Sequence, residues 1–285
     1  MSELAGTHPQ APLVAASAWA LSGPPTVALF ATSPSARAAA RGRLPLGATV
    51  VVAGTWASAR AAAEAVDCLL IARATDDDRA LVPLVRDCVA GPRIPVVVCA
   101  ATTASERAGL DRCGVAAVVE PWESGPRLWG EVQRSVSAAL LARTTERLAE
   151  VRLAPALRGA LVRLCMDDPP PSSVAELCAA VGAHRRTVWY QWRGRVRTRA
   201  PRLEDVVTTV LLLRAFMRRV PGDSWSAIAE RSGVHRHTIA RGAVRLLHLP
   251  TLPPRVGETA DAAHAAARHA FVENVVRPVL RRQVP

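Results

Sequence analysis

Five short runs of almost unbroken β-type apolar residues constrain the first half of this chain more than any other feature. They are TVALF (26–30), ATVVVAG (48–54), DCLLIA (67–72), IPVVVCA (94–100) and AAVVE (116–120). Between them lie Ala- and Arg-rich stretches of helical character near 34–42, 57–65, 79–90 and 104–113, and PRLWGEVQRSVSAALLARTTERLAE (126–150) closes the series. A strand that is apolar along its whole length needs cover on both faces. A helix between consecutive strands supplies that cover and returns the chain for parallel pairing. The pattern predicts an α/β domain over 26–150 built on a parallel sheet, preceded by a tail of residues 1–25.

Five such units in about 120 residues resemble the receiver domain of two-component response regulators, which implies a flavodoxin-like sheet. Asp67 with the apolar run after it resembles that family's third strand, PVVVCA its fourth, and CGVAAVVEPW (113–122) the stretch around its fifth. The chemistry does not carry over. The acidic pair after the first strand falls on Ala31 and Thr32 or their neighbours, where there is no carboxylate, the phosphoacceptor on Ala72, the hydroxyl residue on Ala100 and the lysine on Glu120. Aspartyl phosphorylation needs a carboxylate nucleophile, acidic Mg²⁺ ligands and a cation for the phosphoryl oxygens. Asp76, Asp77 and Asp78 beyond the third strand could imitate an acidic site, but a run of Asp in a loop reads as solvated. A dinucleotide-binding sheet is the other candidate, and ATSPSARAAARG after the first strand lacks its GxGxxG turn. The expectation is a pseudo-receiver with no enzymatic activity and no cofactor.

Charge separates the two halves. All 36 basic residues are Arg, against 24 Asp and Glu, for a net charge of +12. Residues 1–150 hold 14 Arg and 14 acidic residues, whereas residues 151–285 hold 22 Arg and 10 acidic residues. The whole excess lies in the second half, which points to a polyanion, either nucleic acid or an anionic membrane surface; a solvated basic face is the plainer alternative. No apolar run reaches the roughly 20 residues of a membrane span. The segment APLVAASAWALSG imitates a signal peptide, but Glu3 and no basic residue precede it. Six cysteines without a CxxC pair read as small core residues in a reducing cytoplasm.

The second half contains a repeat. SVAELCAAVGAHRRTV (173–188) aligns with SWSAIAERSGVHRHTI (224–239) at a constant offset of 51. Each copy opens on a Ser suited to an N-cap, and Glu176 is placed to complete a capping box in the first. A small residue (Cys178, Ala229) lets two helices approach, Gly182 or Gly233 takes the turn, and Val188 or Ile239 anchors the second helix. This is the helix-turn-helix pattern, written twice. Two such units joined by the apolar stretch EDVVTTVLLLRAFMRRV (204–220) resemble the DNA-binding domain of AraC-type transcription regulators, over residues 155–248. Trp192 stands where that family usually has a buried Phe. Gly242 and Ala243 depart from its preference for apolar and aromatic residues, and Gly233-Val234 from its Gly-Phe signature.

On a helix starting near Arg185, Val188 and Trp192 fall on one face, which leaves Arg185, Arg186, Trp189, Tyr190 and Arg193 outward. Arg can take guanine bidentately, Tyr can bond phosphate, and a ring can lie against a thymine methyl. Trp189 and Tyr190 could instead wrap the first helix. In the second unit Arg236, His237 and Arg241 hold the outward positions. His235 and His237 lack a third ligand, so no metal is expected. RGRVRTRAPR (193–202) reads as a phosphate-contacting loop. A linker, TLPPRVG, and an Ala-rich helix form residues 251–285, and that helix can either pack back or dimerise.

These readings converge on an α/β receiver-like domain (26–150) followed by an all-α domain with two helix-turn-helix motifs (151–250). The expected partner is double-stranded DNA, with no membrane association and with a homodimer or a protein partner open to the receiver-like domain. A protein-interaction scaffold is the rival from another class, and an enzyme using the sheet is a weaker one.

Overall fold

The computed structural model describes residues 24–74, 80–89, 94–123, 125–196, 201–219, 223–253 and 258–280. The expectations placed on residues 1–23, on Asp76, Asp77 and Asp78, and on Arg197 and Arg199 lie outside the described residues.

Strands β1 (Val27–Ala31), β2 (Val50–Ala53), β3 (Cys68–Ala72), β4 (Val96–Cys99) and β5 (Ala117–Val119) form one sheet in the order β2-β1-β3-β4-β5. Every pairing is parallel, with Leu29 of β1 opposite Val52 on one side and Leu70 on the other. This is the doubly wound, flavodoxin-like order, with its switch point between β1 and β3. Successive side chains go to opposite faces. Val27, Leu29, Leu70 and Val97 meet α1 (Pro34–Arg43) and the first half of α5 (Gly125–Glu150). Ala28, Phe30, Leu69, Ile71 and Val98 meet α2 (Trp56–Ala62), α3 (Leu81–Val89) and α4 (Ala104–Cys113). At the sheet edge, β2 leaves Val51 and Val52 exposed.

Local signals start these helices. Ser33 Oγ accepts from Ala36 N at 3.1 Å with Pro34 in the first turn of α1, and Thr103 with Glu106 closes a reciprocal capping box on α4. Helix α4 ends on Gly114 at φ 82°, a left-handed position that suits glycine.

The second half is helical: α6 (Pro155–Met166), α7 (Val174–Ala180), α8 (Arg185–Arg195), α9 (Leu203–Met217), α10 (Trp225–Arg231), α11 (Arg236–Leu247), α12 (Glu258–Phe271) and α13 (Arg277–Leu280), with a π-helical segment, Val272–Val276, between the last two. One core runs from Leu140, Leu141 and Leu148 of α5 through α9 to Val279 of α13. The 26-residue α5 therefore belongs to both units, and the expected boundary at 150/151 follows a helix whose second half lies in the helical core. Helix α9 is buried on nearly all sides, as its composition predicts.

The Ala-rich tail helix packs back. Ala263 and Ala267 of α12 are fully buried, and its polar residues reach α5: Gln133 Nε2 donates to Asp261 Oδ1 at 2.8 Å, Arg268 Nη1 donates to Gln133 Oε1 at 3.1 Å, and His264 Nε2 lies 2.9 Å from Ser137 Oγ. Five of the six cysteines are buried; Cys113 is half-buried, and all six are free. Among the described residues, no helix is long and apolar enough to cross a membrane.

Candidate nucleic-acid interface

The repeated sequence folds as two matching helix pairs, α7–α8 and α10–α11. Ser173 Oγ accepts from Glu176 N, and Ser224 Oγ accepts from Ala227 N, each at 3.1 Å. Gly182 (φ 61°) and Gly233 (φ 66°) turn the chain in the left-handed region, where a Cβ would be strained. Val188, Trp192 and Ile239 are buried and Trp192 Nε1 donates to Pro201 O at 2.9 Å, so its polar atom is satisfied inside the core.

The capping box in the first pair differs from expectation. Glu176 Oε2 accepts from both the backbone N and the hydroxyl of Ser172, each at 2.8 Å, rather than from Ser173 N. Reaching one residue further gives the carboxylate two donors where the box would have given one.

A second pair of caps was legible in the repeat but is easily overlooked. His184 Nδ1 accepts from Arg186 N at 3.2 Å, and His235 Nδ1 accepts from His237 N at 3.3 Å. These two histidines occupy equivalent positions, and each starts the second helix of its pair. Gln191 is also placed by structure alone: its Oε1 accepts from Leu157 N at 2.9 Å and ties α8 to the start of α6.

On α8 the outward residues form a connected surface. Trp189 is 44% and Tyr190 54% exposed. Their rings meet edge to face at 5.0 Å. The Arg186 guanidinium lies 5.5 Å from the Tyr190 ring centroid, and that of Arg193 lies 5.7 Å from the Trp189 centroid. Such contacts hold long side chains in place while leaving the guanidinium charge in water. Arg185 is exposed but engaged, its Nη2 2.9 Å from Glu204 Oε1 at the start of α9. On α11, Arg236, His237 and Arg241 are all exposed, with the His237 ring stacked on His235 at 5.0 Å. Among the described residues Arg236 and Arg241 make no ion pair, so their charge is uncompensated on that face.

The basic loop is only partly outward. Arg193 and Arg202 are exposed, but Arg195 turns inward and its Nε donates to Val279 O at 3.1 Å. Its guanidinium is engaged by that backbone carbonyl on α13, which departs from the expectation that Arg195 contacts phosphate.

The departures at Gly242 and Ala243 have a packing reason. A Cβ on Gly242 would lie 2.7 Å from Thr208 Cγ2 and 3.3 Å from Leu212 Cδ1, and Ala243 is fully buried. Small residues here let α11 lie directly on α9.

In open α/β sheets, ligands bind in the crevice at the carboxyl ends of the strands. Here Ala72 ends β3, and Ala100 and Glu120 follow β4 and β5. Arg73 crosses this edge, with Nη1 2.7 Å from Glu106 Oε1 and Nη2 also donating to Ala101 O. The bonded guanidinium holds the Glu106 carboxyl below its usual range. Thr102 Oγ1 donates to Glu120 Oε1 at 3.0 Å, and Arg107 Nη1 lies 3.6 Å from the same oxygen. Side-chain bridges lace the edge where a receiver holds metal and phosphate. The chain matches no protein-family model and no curated protein.

Proposed function

We propose that this protein is a sequence-specific, double-stranded-DNA-binding transcription regulator of the AraC type, whose receiver-like domain takes no phosphate. The observation that carries the reading is the matched pair of units. Each has a Ser cap, a His cap, a left-handed glycine and a buried branched anchor, and each turns an Arg-bearing helix face to solvent. Both lie in the half that holds the entire +12 charge excess. In this reading Arg186, Tyr190 and Trp189 read bases or position the backbone from α8, while Arg193, Arg236, His237 and Arg241 extend the contact. Six free cysteines fit a reducing, cytoplasmic setting. No reaction is assigned to the chain.

The test uses the full chain on DNA fragments selected by the purified protein. Two protected major-groove segments about one turn, roughly 34 Å, apart are expected. Affinity should fall with salt at a log–log slope near −0.9 per phosphate contacted. A protein that selects no sequence and whose retention on random DNA ignores salt is an interaction scaffold instead.

A further inference from the structure

We propose that a cleft between α5, α9 and α10 is a binding site for a small organic anion bearing a carboxylate or phosphate group. The cleft holds about 730 Å³ and sets four guanidiniums, Arg134, Arg214, Arg218 and Arg231, against two carboxylates, Asp168 and Asp223. Three of the four have their own counter-charge. Arg134 Nη1 lies 2.7 Å from Glu131 Oε2, Arg218 pairs with Asp168, and Arg231 pairs with Asp223.

Arg214 is different. Among the described residues no carboxylate pairs with it and Nε has no acceptor, while Nη2 donates to Cys165 O. Burial pushes its pKa down, and the neighbouring Cys165, whose own pKa burial raises to about 12, stays an uncharged thiol and supplies no counter-charge. A half-buried cation without a counter-charge is costly, and proteins offset that cost by pairing. Arg218, although paired with Asp168, sits beside a like charge: burial lowers its pKa first and the charge of Arg231 lowers it further. Arg218 Nη1 donates to Arg231 O while Arg231 Nη2 donates to Arg218 O at 3.4 Å, so the two cations are held side by side. An anion seated over Arg214 supplies the missing charge and relieves that repulsion.

The volume is that of a small-molecule site, roughly 300–1,000 Å³, but the charged lining selects a polar anion over an apolar ligand. Guanidiniums present planar forks that match carboxylate and phosphate oxygens. A DNA backbone is the other source of phosphate, but none of Arg186, Trp189, Tyr190, Arg236, His237 and Arg241 lines this cleft. Arg134 lies on α5, whose first half packs on the sheet, whereas Arg214 lies on α9, Arg218 directly after it, and Arg231 on α10. An occupant therefore ties the two units together. This inference stands apart from the DNA reading and does not require it.

The experiment follows thermal unfolding of the full chain in inorganic phosphate and in citrate, against sodium chloride at matched ionic strength. The wild-type Tm should rise and saturate. Arg214→Gln should weaken the apparent affinity about tenfold or more, the loss expected for one charge-assisted contact. Arg231→Gln, at a rim position 46% exposed, should do the same and stays readable if Arg214→Gln unfolds. A rise that never saturates, or one equal in wild type and variants, overturns the proposal. It is also overturned if neither anion shifts the wild type, and most instructively if Arg214→Gln then weakens duplex binding and flattens its salt slope. The cleft would then hold a DNA phosphate.

Discussion

Ser137 on α5 and His264 on α12 face each other across 2.9 Å, wholly inside the protein. Burial, then the charges of Arg268, Arg219 and Arg134, hold the His264 imidazole well below the usual 6.5, so the ring is neutral in the folded protein; Asp261 of α12 shares this contact region through Gln133. An unfolded histidine takes up its proton near pH 6.5 while the folded one does not. The unfolded state thus binds more protons in this window, and stability must fall as pH drops below that value. The slope is at most about 1.4 kcal/mol per pH unit, and the contribution is fully present above the unfolded pKa. Urea unfolding from about pH 7.5 to about pH 5.5 should show this slope in wild type and a flatter one in His264→Gln. Equal slopes in the two proteins would refute a neutral buried ring.

Gly242→Ala should destabilise the fold by about 1–3 kcal/mol, because its methyl group meets Thr208 Cγ2 at 2.7 Å. Thr208→Ser removes that methyl and keeps the hydroxyl that donates to Glu204 O at 2.8 Å. The double variant should recover most of the loss, and a purely additive cycle would show that the clash is absent. Gly194→Ala is the contrast: nothing lies within 4 Å of its Cβ position, so gains of about 0.5–1 kcal/mol from helix propensity are expected.

Arg185 and Arg186 should behave differently on DNA. Arg186→Ala should cost about 1–3 kcal/mol on the selected site and relax preference at one base pair. Arg185 is held by Glu204, an exposed pair whose contribution is small. Glu204→Gln frees that guanidinium and should tighten binding to specific and random DNA alike. Weaker binding by Glu204→Gln would mean that the ion pair positions Arg185 for contact.

Acetyl phosphate with Mg²⁺ should add no phosphate to the intact protein. Ala72 offers no nucleophile where a receiver keeps its acceptor, and Arg73 bridges to Glu106 beside it. Intact-mass analysis checks this, and a phosphate mapped to Asp76, Asp77 or Asp78 would contradict it.

The sheet was legible because its inner strands have only one environment open to them, although β2 lies at the edge with Val51 and Val52 exposed. Val96–Cys99 sits inside IPVVVCA, and a run buried on both faces leaves no other fold for those residues. The helix pairs were equally visible, since Gly182 and Gly233 mark their turns in both copies. What the sequence hid were polar residues that point inward. His264 and Arg268 look like the wet face of an Ala-rich helix, yet both are buried, because their partners Ser137 and Gln133 lie more than 120 positions away. Arg195 was misdirected for the same reason, its partner Val279 lying 84 positions away, whereas Glu176 missed its box locally, by bonding Ser172 instead of Ser173.

Synthesis proceeds from the N-terminus, and α5 emerges with only half of its neighbours in existence. Leu128, Trp129, Val132 and Val136 can settle on the finished sheet at once. Leu140, Leu141 and Leu148 belong to a core that closes only when Val272, Val275 and Val279 have left the ribosome. Until then the nascent chain displays an oily stripe on an otherwise complete domain, which chaperones or a second copy can grasp. A ribosome stalled between these points would release a species with a folded head and a sticky stem.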